Sequence, residues 1–126
     1  MSLQPVPIQN VPGVPDYTCT AFLPKSSDYC LLIPVINEGS RILTELGRAQ
    51  KAGVDRLVDI VICDGGSTDG SMNPDTLELY GVNTLLVKTG PGKQGAQLRM
   101  GLHFALTLGY KGVLTIDGNN KDSIED

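Results

Sequence analysis

The 126-residue chain contains one histidine and three cysteines. His103 falls in the middle of an apolar stretch, the setting of a core or boundary histidine rather than of a general base. No serine or cysteine comes with a recognisable base, so a nucleophile–base triad has no support. Cys19, Cys30 and Cys63 lack metal-ligand spacing, and the last two sit inside apolar runs, as small buried thiols do. A reducing, cytoplasmic setting fits such usage. Basic charge is also short. Ten Lys and Arg against 14 Asp and Glu leave a formal net charge of −4, which argues against a nucleic-acid backbone as partner. A small anionic ligand held by a few cations and backbone amides remains compatible. No apolar run nears the ~18 residues of a membrane span, and no basic-then-apolar leader pattern is read at the start.

What the chain does contain is 40% hydrophobic residues, 15 glycines and eight prolines. The length suits one domain with a real core. Five of the prolines (Pro5, Pro7, Pro12, Pro15, Pro24) lie in residues 1–28. Proline removes donors and fixes φ, so this segment is expected to be an extended arm, peripheral to the core. From Tyr29 the pattern changes. Tyr29 to Val35 is a continuous apolar run, the mark of a strand covered on both faces, with Pro34 at its end because a central strand cannot spare the donor. A helix follows from Asn37-Glu38-Gly39-Ser40 to Gly53, with Ile42, Leu43, Leu46 and Ala49 as its stripe. Leu57 to Cys63 reads as a second strand, a helix from about Ser67 or Asn73 to Tyr80 comes next, ended by Gly81, and Thr84 to Lys88 is a third strand. Ala96 to Leu108 is a third helix, apolar on most sides and therefore expected to be well buried. Gly112 to Asp117 is a fourth strand. Alternating β and α elements call for right-handed crossovers and a mostly parallel sheet with helices on both faces, a Rossmann-like α/β fold. Such a sheet ordinarily continues, so the pattern reads as truncated after the fourth strand.

The polar residues cluster where these strands end: Asn37-Glu38, Asp64 through Asp69, Gly92-Lys93 and Asp117-Gly118-Asn119. A parallel sheet puts all four on one edge, where ligands of open α/β sheets bind. Helix capping accounts for Glu38 and Asp69. Asp64 and Asp117 each end an apolar strand and precede a glycine, which leaves room for a ligand to approach. Acidic strand ends suit ribose or base hydrogen bonds and a hard cation, Mg²⁺ or Mn²⁺, bridging phosphates. Lys93 and Arg99 bring positive charge. Gly90 to Gly95 also fits G-x-G-x-x-G, with Asp117 at the spacing of a ribose contact, which would make a dinucleotide site. Its place in the third βα unit and the stiffness of Pro91 weigh against that. It is not a Walker loop.

Taken together and in order, these clusters resemble the N-terminal, nucleotide-binding half of family 2 glycosyltransferases, inverting enzymes of the GT-A fold that include the polyprenyl-phosphate sugar transferases. Ile33-Pro34-Val35-Ile36-Asn37-Glu38 is similar to that family's opening motif, and Asp64-Gly65-Gly66-Ser67-Thr68-Asp69-Gly70 to its acidic DDGSTDG loop. Gly92 to Leu102 resembles its glycine–lysine segment, and Thr115-Ile116-Asp117-Gly118-Asn119 takes the place of its D-x-D. The resemblance covers residues 29–126 and implies a donor-binding half of a hexosyltransferase-type enzyme. It implies nucleotide contacts from Pro34, Glu38, Asp64, Lys93, Arg99 and Asp117, and a Mg²⁺ or Mn²⁺ ion at Asp117 and Asn119. Asn119 stands where that motif has its last aspartate, which should weaken the metal, and Gly65 stands where a second aspartate is usual. The implied partners are a nucleotide-diphosphate sugar and an acceptor, either a polyprenyl phosphate or a saccharide, with a homo-oligomer and the cytoplasmic membrane surface as further expectations. The catalytic base is expected beyond Asp126. The alternatives are a nucleotide-binding remnant without transferase activity and a dinucleotide-binding domain using Gly90–Gly95. A sugar-phosphate nucleotidyltransferase would share the fold, but Asn37-Glu38-Gly39-Ser40 does not resemble its glycine-rich, arginine-bearing loop. Asp64→Ala is expected to weaken nucleotide binding with the fold intact.

Overall fold

The computed structural model describes residues 6–8, 13–91 and 94–116. Its strands are β1 (Val6–Ile8), β2 (Tyr17–Ala21), β3 (Tyr29–Val35), β4 (Asp59–Asp64), β5 (Thr84–Lys88) and β6 (Gly112–Thr115). The helices are α1 (Ser40–Ala52), α2 (Pro74–Leu79) and α3 (Gln94–Leu108). Among the described residues the strands form one sheet in the order β1-β2-β5-β4-β3-β6. The four strands from β5 to β6 are parallel, and β1 and β2 add antiparallel to the β5 side.

β3 and β4 are apolar without alternation because both faces are covered. Leu31, Ile33, Val35, Ile60 and Ile62 pack with Ile42, Leu46 and Ala49 of α1 and Leu77 of α2. On the opposite face Cys30, Leu32, Val61 and Cys63 pack with Met100, Phe104 and Ala105 of α3. The chain is therefore α/β, with a mostly parallel sheet and helices on both faces, and its strand order is consistent with a Rossmann-like sheet. Between β5 and β6 the chain crosses from one side of β3 to the other, so the connection reverses direction at the β3–β6 boundary.

The helix ends follow from local chemistry. Gly53 takes a left-handed φ of 79° and its N–H reaches the carbonyls of Ala49 and Gln50, which closes α1. Asn73 caps α2 by accepting from the amides of Asp75 and Thr76, with Pro74 in the first turn. Pro34 lies within β3, paired with Cys63 on β4, while β6 pairs only with residues 29–32. On that side its missing donor meets no described strand.

Three expectations change. The proline-rich segment is not wholly peripheral. β2 completes the β5 edge, and Tyr17 is buried in the α3-side core. Of the described prolines here, Pro7 falls on β1, an outer strand among the described residues, where a lost donor is tolerated, and Pro15 and Pro24 flank β2. Second, α3 is not buried on most sides, since Leu102, Leu106 and Leu108 are exposed. Only its sheet-facing side is covered, because among the described residues no element packs over its outer side. Third, Leu57 precedes β4 rather than starting it. A short 3₁₀ turn, Val54–Arg56, leaves Leu57 exposed, and the strand begins at Asp59.

The close seat of α3 depends on Gly101. A Cβ there would lie 2.7 Å from Cys63 Sγ and 3.0 Å from Leu32 Cδ1. Alanine is the better helix former by about 1 kcal/mol, but overpacking a core of this kind costs ~1–3 kcal/mol. Gly101→Ala should therefore lower stability by about 1 kcal/mol in urea denaturation. The loss should shrink in Gly101→Ala/Cys63→Ala, where the sulfur is removed.

Candidate functional site

Register brings the ends of three parallel strands level, with Val35 beside Asp64 and Asp64 beside Val87. The loops after β3, β4 and β5 consequently leave the sheet on one edge, next to the β3–β6 boundary. In an open α/β sheet this is where a ligand is bound.

The loops after β3 and β4 are laced together by short polar side chains. Asp64 is 2% exposed. Its Oδ1 accepts from the amides of Gly66 and Ser67 (3.2 and 3.0 Å) and from Ser67 Oγ (2.6 Å). Ser67 Oγ in turn accepts from Asn37 N at 2.9 Å. Asn37 returns the link, its Oδ1 accepting from Thr68 N at 2.7 Å and Asp69 N at 3.2 Å. Asp69 Oδ2 accepts from Gly39 N at 3.0 Å, and its Oδ1 holds Ser71. Asn37 alone among the described non-glycine residues has a positive φ, 47°. Asparagine is one of the few side chains that visit this region, and strain of this sort gathers at functional loops.

Of the expected nucleotide contacts, the structure brings Pro34, Glu38 and Asp64 to this edge. Pro34 is buried in β3, opposite Cys63 of β4. Glu38 is paired with Arg41 at 3.1 Å, and Arg41 Nε also donates to the Glu38 carbonyl. Arg99 donates from Nε to the carbonyl of Gly13 at 2.8 Å, so part of its guanidinium is engaged by the N-terminal segment. The same segment pins the loop after β5, because Asp16 O accepts from Thr89 N and Gly90 N at 2.8 and 2.9 Å. Lys93, Asp117 and Asn119 lie outside the described residues, as do Gly92 and Gly118. Among the described residues no three His, Cys, Asp or Glu come together as a metal-ligand set.

His103 shares a 2.7 Å hydrogen bond with the Tyr17 hydroxyl and an edge-on ring contact, so it serves the packing of β2 on α3. Burial pushes the Tyr17 hydroxyl up to about 12 and the Cys30 thiol up to about 11, and raises Cys63 further. These thiols are protonated at neutral pH and inert as nucleophiles. What the edge offers is a rim of backbone amides, hydroxyls and three carboxylates (Glu38, Asp64 and Asp69) with partners of their own. This is hydrogen-bonding chemistry suited to a polar ligand, without an activated nucleophile among the described residues.

Two residues mattered more than the sequence reading allowed. Asn37 was visible only as part of a polar pair, and its left-handed backbone carries no signal of its own. Gln97, 4% exposed on α3, reaches the ends of both β3 and β4. A lone glutamine in a helix has no pattern that announces such a reach. Asp64 also changes character. Its Oδ1 anchors its own loop, so Asp64→Ala would remove a structural acceptor as well as any ligand contact.

Asn37→Ala should cost more than Asn37→Gly by about 1 kcal/mol in thermal denaturation, since both lose the Oδ1 acceptor but only alanine resists the left-handed backbone. Both should speed amide exchange at Thr68 and Asp69. Asp69 sits below the usual carboxylate range because the Ser71 hydroxyl, and then the Ser71 amide, donate to it, with Gly39 adding to this. A depressed folded value means that the loop link is present above the ordinary aspartate value of about 4 and is lost as pH falls through the lower one. Exchange at Gly39 and Ser71, corrected for intrinsic rate, should therefore rise on acidification and stay flat from about pH 6 to 8.

Comparison with protein-family models, with curated proteins and with solved structures returned no match to this chain.

Proposed function

We propose that this chain carries the donor-binding half of an inverting glycosyltransferase of the family 2, GT-A type, which takes a nucleotide-diphosphate sugar. The observation that supports the reading is one of position. Two loops, Asn37-Glu38-Gly39 and Asp64 through Asp69, are cross-linked at the carboxyl ends of adjacent parallel strands, beside the point where the sheet's connection reverses. Those are the loops through which a nucleoside would be held in an open α/β sheet. The sequence resemblance suggests the ligand class, and the position of the two loops supports the reading.

The chemistry is a displacement at the anomeric carbon. An acceptor oxygen attacks and the nucleoside diphosphate leaves; with a saccharide acceptor the oxygen is a hydroxyl whose proton a base takes, and with a polyprenyl phosphate it is an anionic phosphate oxygen. In this chain Asn37, Ser67 and Thr68 would orient the nucleoside, and Lys93 and Arg99 would balance the diphosphate charge. The acceptor, a polyprenyl phosphate or a saccharide, and the base are assigned to no residue described here. Asp64 and Glu38 already have partners, and with no described metal set the residues at this edge do not by themselves fit a divalent ion. Asp117 and Asn119 keep the Mg²⁺ or Mn²⁺ role that the resemblance gives them, and no step is derived through the ion. No helix among the described residues is long and apolar enough to cross a membrane; the cytoplasmic face of a membrane stays part of the proposal for a lipid-linked acceptor.

The dinucleotide alternative has less support. Gly90–Gly95 follows β5, two strands away from β3, whereas a dinucleotide fingerprint follows the strand at the switch point.

Titration with UDP, GDP and their sugars, with and without Mn²⁺, tests the reading. A Kd of about 1 mM or tighter is expected for one base, with amide shifts at residues 36–39 and 64–69. No binding by any of them, or shifts at Gly92 and Gly95 with NAD alone, would overturn it.

A further inference from the structure

Gln97 lies on the sheet-facing side of α3. Its Nε2 donates to two carbonyls, Val35 O at 2.8 Å and Cys63 O at 2.9 Å. A carboxamide nitrogen has two hydrogens, so both are used. The acceptors end or nearly end β3 and β4, the two strands that carry the cross-linked loops. Val35 O also accepts from Gly65 N at 2.9 Å. The glutamine is therefore not rescuing an orphan acceptor at Val35; it adds a second bond to a carbonyl that already has one. One carbonyl thus ties together the end of β3, the turn after β4 and α3.

The same carboxamide fills the space beside Gly65. A Cβ built there would lie 3.0 Å from Gln97 Cδ and 3.1 Å from both Nε2 and Oε1. Contacts that tight require the neighbour to move, and a side chain bonded to two strand ends is not free to do so. Glycine at 65 and glutamine at 97 are consequently two halves of one contact. Two residues further along α3, Arg99 holds the carbonyl of Gly13, so the start of the helix is fixed on both sides.

We infer that Gln97 is a positioning residue for the candidate site: it latches α3 to the strand ends that carry the turn after β4, sets the path of Gly65 through Ser67, and disfavours a side chain at position 65. The inference rests on the nucleotide-binding reading for its ligand, but the latch itself has a separate readout. A glutamine that merely filled the core would affect all protected amides alike through global stability. A latch affects the turn alone.

The test uses the whole chain with Gln97→Met, which keeps length and apolar contact but removes both donors, and Gly65→Ala, which presses on the contact from the other side. Native-state amide exchange is followed at Gly65, Gly66 and Ser67, with the β2–β5 ladder as the remote reference. Roughly tenfold faster exchange at the turn, with the ladder changed by less than about twofold, is expected for Gln97→Met. Gly65→Ala should loosen the same amides, and Gly65→Ala/Gln97→Ala should recover part of the loss, because room has been made. Unchanged exchange at the turn, or an equal rise across the sheet, overturns the latch. Should Gln97→Met fail to fold, Gly65→Ala reads the contact with Gln97 in place. In parallel, if the wild-type chain binds UDP or GDP, Gln97→Met should weaken that binding about tenfold at a temperature where it is folded, and equal affinity overturns the positioning role. A wild-type chain that binds neither removes the nucleotide reading, and the exchange pattern then decides the latch alone.

Discussion

Everything at the candidate site depends on the pairing of β3 with β4, two strands buried on both faces. Their backbone groups satisfy one another, and their side chains, almost all apolar, need cover above and below. That requirement places α1 and α2 on one side and α3 on the other. It also forces each connection to leave from the same edge. The polar loops meet because the strands beneath them have no polar surface to share.

The loops then hold themselves together with small groups. Serine, asparagine and aspartate close hydrogen bonds over two or three residues, and here they also close them between neighbouring loops. Asn37 and Ser67 each link the two sides, and Asp64 and Asp69 organise the turn around them. Such a network fixes the backbone without much apolar burial. A ligand of the proposed kind would meet loops already ordered by their own bonds, which lowers the ordering cost of binding.

Much of this was legible in the sequence. The unbroken apolar runs at Tyr29–Val35 and before Asp64 announced central strands, and Gly53 and Asn73 marked helix ends through known backbone preferences. Two of the four polar clusters, Asn37-Glu38 and Asp64 through Asp69, could be placed on one edge from the βα alternation alone. What could not be read was contact between distant residues. Tyr17 looked peripheral because prolines surround it, yet one strand without proline is enough to pair with β5. Leu102 and Leu106 looked buried because composition does not say how many layers cover a helix. The place of Asp64 after a strand suggests a ligand contact but does not reveal the bonds that its Oδ1 makes to its own turn.

β4 carries an aspartate at each end. At its start, buried Asp59 accepts from the Ser26 amide and hydroxyl and from the Tyr110 hydroxyl, and Lys25 lies over the Tyr110 ring. At its finish Asp64 gathers the turn. Between them runs Ile-Val-Ile-Cys, whose apolar side chains fit either face of the sheet. A sliding strand of that kind would find little in its hydrophobic pattern to stop it. A shift by one residue, however, would pull both carboxylates off their donors at once and strand two charges in the interior. The pair of aspartates thus acts as end stops, and the alignment of the loops above is inherited from them.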